Sequence, residues 1–334
     1  MRGRTAGPRV SITGLGTYAP EKIVTNDDLS ELAETNDEWI RSRTGIRERR
    51  VAAPEQAASD LSIIAARKAL DNAGADASEI DLVIVATVTP DMLFPATAAL
   101  VASELGMTTA AAYDLSAGCT GFVYALSQGY GSIAAGIANK VLVIGVDVLS
   151  RIVDWTDRST MVLFGDGAGA VVLEKVETGG ILGFEVGADG SGGENLWLPC
   201  SGSRLSDETE RTLRMNGREV FKFATRIMSS SAEAILETCG KTVADIDVYV
   251  PHQANVRIID HAAEKLGIPE EKVIVNVDRY GNTSSGSIPL ALGEAVADGR
   301  LRPGALVLMT GMGAGLTWGS ALIEWTIGMN GATQ

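Results

Sequence analysis

Two stretches of the chain read alike at a distance of 166 residues: IDLVIVATVTP from Ile80 and IDVYVPHQAN from Ile246. AALVASELGM from Ala98 is echoed by IIDHAAEKLGI from Ile258, at 160, and VLVIGVDV from Val141 by ALVLMTGM from Ala305, at 164. GDGAGAVVLE from Gly165 matches GMGAGLTWGSALIE from Gly311 at the shorter offset of 146. Each match alone is weak, but four in the same order at similar offsets argue for a duplicated unit, a constraint few folds satisfy. They predict halves at residues 1–178 and 179–334, parted at Gly179 and Gly180 and related by a pseudo-two-fold axis.

Within the first half, apolar runs at Val10–Leu15, Leu82–Thr87, Ala111–Leu115, Val141–Val146 and Ala168–Leu173 have the length and β-branched content of buried strands. Helical periodicity falls between them near Ser59–Asn72, Thr97–Leu105 and Phe122–Ala135, so the unit is α/β. With 334 residues and 46% hydrophobic content, the chain can bury a core in each half. A net charge of −14 argues against nucleic acid as a partner. No uncharged run approaches the ~20 residues of a membrane span, and no leader pattern opens the chain. Cys119, Cys200 and Cys239 are odd in number and lack metal-ligand spacing, which suits reduced thiols in the cytoplasm rather than a disulfide framework or a metal site.

Cys119 lies in AYDLSAGCTGFVYAL, between an apolar run and a helical pattern, with Gly118 and Gly121 close by. A thiol at a helix N-terminus meets unpaired N–H groups and the positive end of the dipole, which favour its thiolate. The flanking glycines admit close approach by backbone or substrate, which a packing cysteine does not require. Of the two histidines, His261 reads as a surface residue, whereas His252 follows the run Val248–Val250, at the strand end where open α/β sheets place ligands. Asn282, in GNTSSGS, has the composition of a turn or cap, yet the duplication sets its turn, Asp278–Ser287, opposite the one holding Cys119. Cys, His and Asn brought together supply a nucleophile with positioned hydrogen-bond donors.

DLSAGCTGFVYAL, PHQANVRI and GNTSSGS, joined in order by TNDEWIRSRTGIRERR, TDRSTMVLFGDGAGAVVL and GMGAGLTWGSAL, resemble β-ketoacyl-acyl-carrier-protein synthase III of the thiolase superfamily over nearly the whole chain. The resemblance implies a duplicated, five-layered αβαβα fold, a homodimer, and a decarboxylating Claisen condensation that starts fatty-acid synthesis. Cys119 takes the acyl group of an acyl-CoA, which is a substrate rather than a cofactor. Malonyl on acyl-carrier protein then loses CO2, and the enolate attacks that acyl group. His252 and Asn282 hold the enolate oxygen, and the backbone N–H groups of Cys119 and Ala314 form the oxyanion hole. GMGAGL departs from the family's glycine at 314, but a backbone donor survives the change.

By the same resemblance, Trp39 and Arg158 sandwich the adenine of CoA, Arg43 touches the nucleotide, and Met215, Gly217, Phe221, Ala254 and Asn255 line the pantetheine tunnel. Phe94, in TPDMLFPAT, occupies the place from which a partner subunit closes the acyl pocket, and its bulk implies a short primer. The carrier protein is acidic, so a basic stripe is expected. Arg218, Lys222 and Arg226 recur at helical spacing on one segment and Arg257, His261 and Lys265 on another, although Glu264 weakens the second. The glycine clusters supply no dinucleotide-binding fingerprint. Three further readings are open: a starter-unit ketosynthase or acyltransferase of a natural-product pathway, a degradative thiolase, and an inactive acyl-binding scaffold. The second expects a cysteine in GMGAGL, which has none, and the third expects the loss of Cys119, His252 or Asn282, all of which are present.

Overall fold

The computed structural model describes residues 1–5, 7–199, 202–203 and 211–328; Cys200 lies outside them. Two five-stranded sheets carry the duplication. The first runs Val10–Tyr18, Asp166–Lys175, Lys140–Val148, Leu82–Ala86, Ala111–Leu115 across its width; the second runs Arg2–Arg4, Gly180–Ala188, Thr317–Glu324, Leu306–Gly313, Val248–Pro251. Leu82 pairs in parallel with Val141 as Val248 does with Val307, and the next strand returns antiparallel in both halves. The register therefore fixes an offset of 166 through these strands, in place of the 164 read for Val141. Leu173 and Ile323, each opposite the paired valine, then stand 150 apart. The glycine motifs are accordingly not equivalent: Asp166 begins one strand, whereas Gly311 and Gly313 end the strand before its counterpart.

The halves differ at their edges. The counterpart of Ala111–Leu115 is reduced to a parallel bridge between Tyr249 and Val273. Arg2–Arg4 adds to the second sheet, antiparallel to Gly183–Glu185, so these residues do not share the sheet of the half expected at 1–178. The reason is an open edge, whose unpaired N–H and C=O groups accept a strand from wherever the chain supplies one.

Alternation along each strand builds the layers. Ile84, Val143, Val171, Val250, Val307, Met309, Ala321 and Ile323 face inward onto the helices Gly121–Ala134 and Ser287–Ala297, which are sandwiched between the sheets. Val83, Val85, Leu142 and Ile144 point outward onto Ala58–Ala73 and Thr97–Glu104. Tyr249, Leu308 and Leu322 face the other outer layer, Gly217–Cys239 and Val256–Leu266. The sequence of layers is αβαβα, and both central helices begin at the same end of the molecule, where the catalytic candidates gather. Among the described residues no helix is long and apolar enough to cross a membrane.

Candidate active site

Ala111–Leu115 delivers the chain to one 3₁₀ turn, Gly118–Thr120, which feeds the helix Gly121–Ala134. Gly118 has φ +56, and a Cβ there would lie 2.6 Å from Ala314 N. A Cβ on Gly313 would lie 2.3 Å from Cys119 N. Glycine at both positions thus lets the loop after Leu306–Gly313 press its backbone against the nucleophile. Thr317 holds that loop in place, its Oγ1 lying 2.8 Å from Ala117 O and 3.0 Å from Ala314 O, with the Thr120 hydroxyl at 3.1 Å.

Burial, not the helix terminus, dominates the thiol. It pushes Cys119 up to about 11. The Ser284 hydroxyl pulls it down, the Asp147 carboxylate pushes it further up, and the N–H groups of Cys119 and Ala314 pull it down. This corrects the expectation of a thiol already shifted toward thiolate, because desolvating a charge outweighs a few oriented dipoles. The N–H groups of Cys119 and Ala314 lie close enough to the thiol to favour negative charge there.

His252 caps the strand Val248–Pro251, tied by its N–H to Thr310 O at 2.7 Å. Gln253 clamps the turn beyond it: Nε2 donates to Pro251 O and Ile274 O, and Oε1 accepts from Asn276 N and Val277 N. The imidazole is buried, which pushes its pKa down to about 3, so it is neutral at physiological pH. Nδ1 lies 2.6 Å from Ser287 Oγ, and Nε2 has no protein partner among the described residues. Asn282 Oδ1 accepts from Ser284 N at 2.9 Å, and its backbone bonds Leu163 O and Gly165 N.

One cavity of about 180 Å³ brings Cys119, His252 and Asn282 together with all five residues expected in the tunnel, Met215, Gly217, Phe221, Ala254 and Asn255. Asn255 lines it with its side chain already engaged, accepting from Arg257 N and donating to Arg43 O. Phe164, Leu196 and Met312 narrow the space, and sequence reasoning did not find them. Nor did it find Ser287, Ser285 and Asp147; a run of serines beside a candidate asparagine was the available signal.

Trp39, Arg43 and Arg158 stand together outside the cavity, with the Arg43 and Arg158 guanidinium groups 4.8 and 4.7 Å from the indole centroid. Arg158 therefore lies on Trp39 itself, with no gap held open between them. Phe94 is 85% exposed and does not line this chain's cavity. Arg218, Lys222, Arg226, Arg257 and Lys265 are exposed, as is His261. Lys222 pairs with Glu219 at 2.7 Å, and Arg257 lies 5.6 Å from the ring of Phe221, which joins the two basic helices at the tunnel wall.

A family model described as 3-oxoacyl-[acyl-carrier-protein] synthase III matches residues 113–190, and its C-terminal counterpart matches 236–325. A β-ketoacyl-[acyl-carrier-protein] synthase III of Symbiobacterium thermophilum is 54% identical over 323 residues, covering 95% of this chain and 98% of that protein. The crystal structure of such a synthase from Thermus thermophilus superposes with a TM-score of 0.91 at 52% identity, covering 95% of this chain and 99% of the other. The priming β-ketosynthase of the R1128 polyketide pathway gives a TM-score of 0.90 at 38% identity, over 97% and 99% of the two chains.

Proposed function

From the premise that the chain belongs to the β-ketoacyl-[acyl-carrier-protein] synthase III family, we propose that Cys119, His252 and Asn282 carry its two half-reactions. The protein is a condensing enzyme of the thiolase fold that performs the initiating condensation of fatty-acid synthesis. Its substrates are an acyl-CoA and malonyl-acyl-carrier protein.

Cys119 Sγ forms a bond to the thioester carbon of the acyl-CoA, the carbonyl oxygen becomes an oxyanion held by the N–H groups of Cys119 and Ala314, and the C–S bond to CoA breaks. The thiol proton ends on the CoA sulfur. A thiol held near 11 gives up that proton only as the attack proceeds, which ties its reactivity to a bound thioester. In the second half-reaction the C–C bond to the malonyl carboxylate breaks and CO2 leaves. The electron pair passes to the thioester oxygen as an enolate, which His252 Nε2–H and Asn282 Nδ2–H stabilise. The enolate carbon attacks the acyl-cysteine, the oxyanion hole is used again, and Cys119 departs as a thiolate that takes a proton from water. Each preorganised donor in such a site is worth ~3–4 kcal/mol. In this scheme side chains and backbone supply each step, and acyl-CoA serves only as substrate.

The observation that carries the reading is the convergence on one cavity of a thiol under two N–H groups, an unpartnered imidazole nitrogen and an asparagine whose oxygen is already tied. The basic helices at the tunnel wall fit docking of an acidic carrier protein, and Phe94 fits closure of the pocket in a partner subunit of a homodimer working in the cytoplasm. The test is intact-mass analysis of wild type and Cys119→Ser after incubation with acyl-CoAs, followed by malonyl-carrier protein. The expected result is an acyl mass on wild type alone that disappears as CO2 and 3-ketoacyl carrier form, and the acyl-CoA that reacts names the primer. Acyl transfer without CO2 release would favour a natural-product acyltransferase, and the absence of any acyl mass would end the assignment of Cys119.

A further inference from the structure

We propose that Ser285 is a positioning residue for the oxyanion-binding N–H of Cys119, and that the duplicated fold keeps one of its two elbows reactive through what packs against each. The elbows correspond residue by residue at the offset of 166. Gly118–Thr120 and Ser284–Gly286 are each one 3₁₀ turn leading into a central helix. Gly118, with φ +56, and Ser284, with φ +49, both adopt the left-handed conformation, and Ser284 is the one non-glycine residue to do so among those described. Ser285 thus stands where Cys119 stands, and Gly313 stands where Asp147 stands.

That second pair breaks the symmetry. At the elbow of the second half, Asp147 Oδ2 reaches across from the first half and takes the Ser285 N–H at 3.1 Å, while Oδ1 collects the hydroxyls of Thr87 and Thr89 and the N–H groups of Val88 and Thr89. The elbow N–H of that half is spent on a buried carboxylate. At the elbow of the first half, Gly313 packs against Cys119 N and has no side chain to take its N–H, which stays available to a substrate oxygen.

Ser285 then acts across the interface between the halves. Its hydroxyl donates to Gly118 O at 3.2 Å. Gly118 C=O and Cys119 N–H belong to one planar peptide and point in opposite directions, so holding the carbonyl aims the N–H. The same hydrogen bond polarises the peptide and strengthens its donor. Space for this contact is made by glycine: a Cβ on Gly121 would lie 2.7 Å from Ser285 Oγ, and one on Gly145 would lie 2.2 Å from Ser285 O.

The inference rests on the reading of Cys119 as the nucleophile, and the two half-reactions separate its test from that reading. Single-turnover acylation by acetyl-CoA and isobutyryl-CoA and decarboxylation of malonyl-carrier protein are measured for wild type and Ser285→Ala. Acylation, which needs the Cys119 N–H, should slow roughly ten- to hundredfold, less than the ~10²–10³-fold of a deleted donor. Decarboxylation, which uses His252 and Asn282, should stay within about twofold. Equal acylation by the two proteins overturns the inference alone, as does a parallel fall in both steps, which would mark a general packing role. A wild type that neither CoA thioester acylates overturns the functional reading and this inference with it.

Discussion

Ser287 Oγ lies 2.6 Å from His252 Nδ1 and also receives the Gln253 N–H at 3.4 Å. A hydroxyl that accepts from a backbone N–H still has its own proton to give the imidazole, and with Nδ1 as the acceptor Nε2 carries the hydrogen. Ser287 thereby makes His252 a donor toward the cavity. Ser287→Ala releases that choice of tautomer. The expected result is a fall of roughly ten- to hundredfold in CO2 release from malonyl-carrier protein, with acylation of Cys119 nearly unchanged. Undiminished CO2 release would show that the tautomer is fixed some other way.

Because burial holds the Cys119 thiol near 11, its reactivity in the free enzyme should track thiolate population far above neutrality. Alkylation by iodoacetamide, followed by intact mass from pH 6 to 10, should accelerate about tenfold per pH unit without levelling. A plateau below pH 8 would mean that the N–H groups outweigh burial. Acyl-CoA should still acylate the enzyme at pH 7, since there the proton leaves in step with attack.

His252 gives a stability signature of its own. Its folded pKa of about 3 lies below the ordinary 6.5, so the unfolded chain takes up a proton first as pH falls and stability declines below pH 6.5. Between pH 6.5 and 5.0, above most carboxylate titrations, this group's contribution falls by up to ~1.4 kcal/mol per unit. Chemical denaturation of His252→Gln should show a correspondingly flatter pH dependence across that window, and an unchanged slope would count against a neutral buried imidazole.

The repeat was legible in the sequence because strands buried on both faces keep their apolar runs, and it set the turn of Asn282 opposite that of Cys119, while local patterns put Cys119 and His252 beyond strand ends. What escaped the sequence depends on contacts across the two halves. The pairing of Ser285 with Gly118, and of Asp147 with Ser285, joins residues more than a hundred positions apart whose types look ordinary in place. The thiol's pKa escapes for a related reason: helix position can be read from a local pattern, whereas burial at Cys119 depends on packing against the distant loop of Gly313 and Ala314. The glycine motifs were matched to each other by composition, although backbone register places them on different strands.

Trp39 is flanked by two guanidinium groups within 5 Å, on a helix tied to the tunnel through Asn255 and Arg43 O. Stacking an adenine there exchanges one cation contact for a ring contact, worth ~1 kcal/mol. Trp39→Ala should therefore raise KM for acyl-CoA roughly five- to tenfold while leaving kcat and KM for malonyl-carrier protein near wild type. An equal rise in both KM values would place Trp39 in tunnel shape rather than in CoA recognition.

The loop carrying Met92, Leu93 and Phe94 is apolar and open, with Leu93 76% and Phe94 85% exposed, and Ala111–Leu115 leaves the first sheet with an unpaired edge. Exposed apolar side chains beside a free strand edge favour pairing with another copy, which would bury both. In a two-fold interface each substitution is met twice. Replacing Leu93 by Asp removes about 2 kcal/mol of apolar burial per copy, which doubles to about a thousandfold in the dimer dissociation constant. Sedimentation velocity should give twice the chain mass for wild type and a concentration-dependent shift toward monomer for Leu93→Asp. Phe94→Ala should accept longer primers, because the lost ring opens the neighbour's acyl pocket, and should weaken the dimer to a similar degree by the same loss of apolar burial. A monomeric wild type at micromolar concentration would remove both the dimer and the role of Phe94 in primer choice.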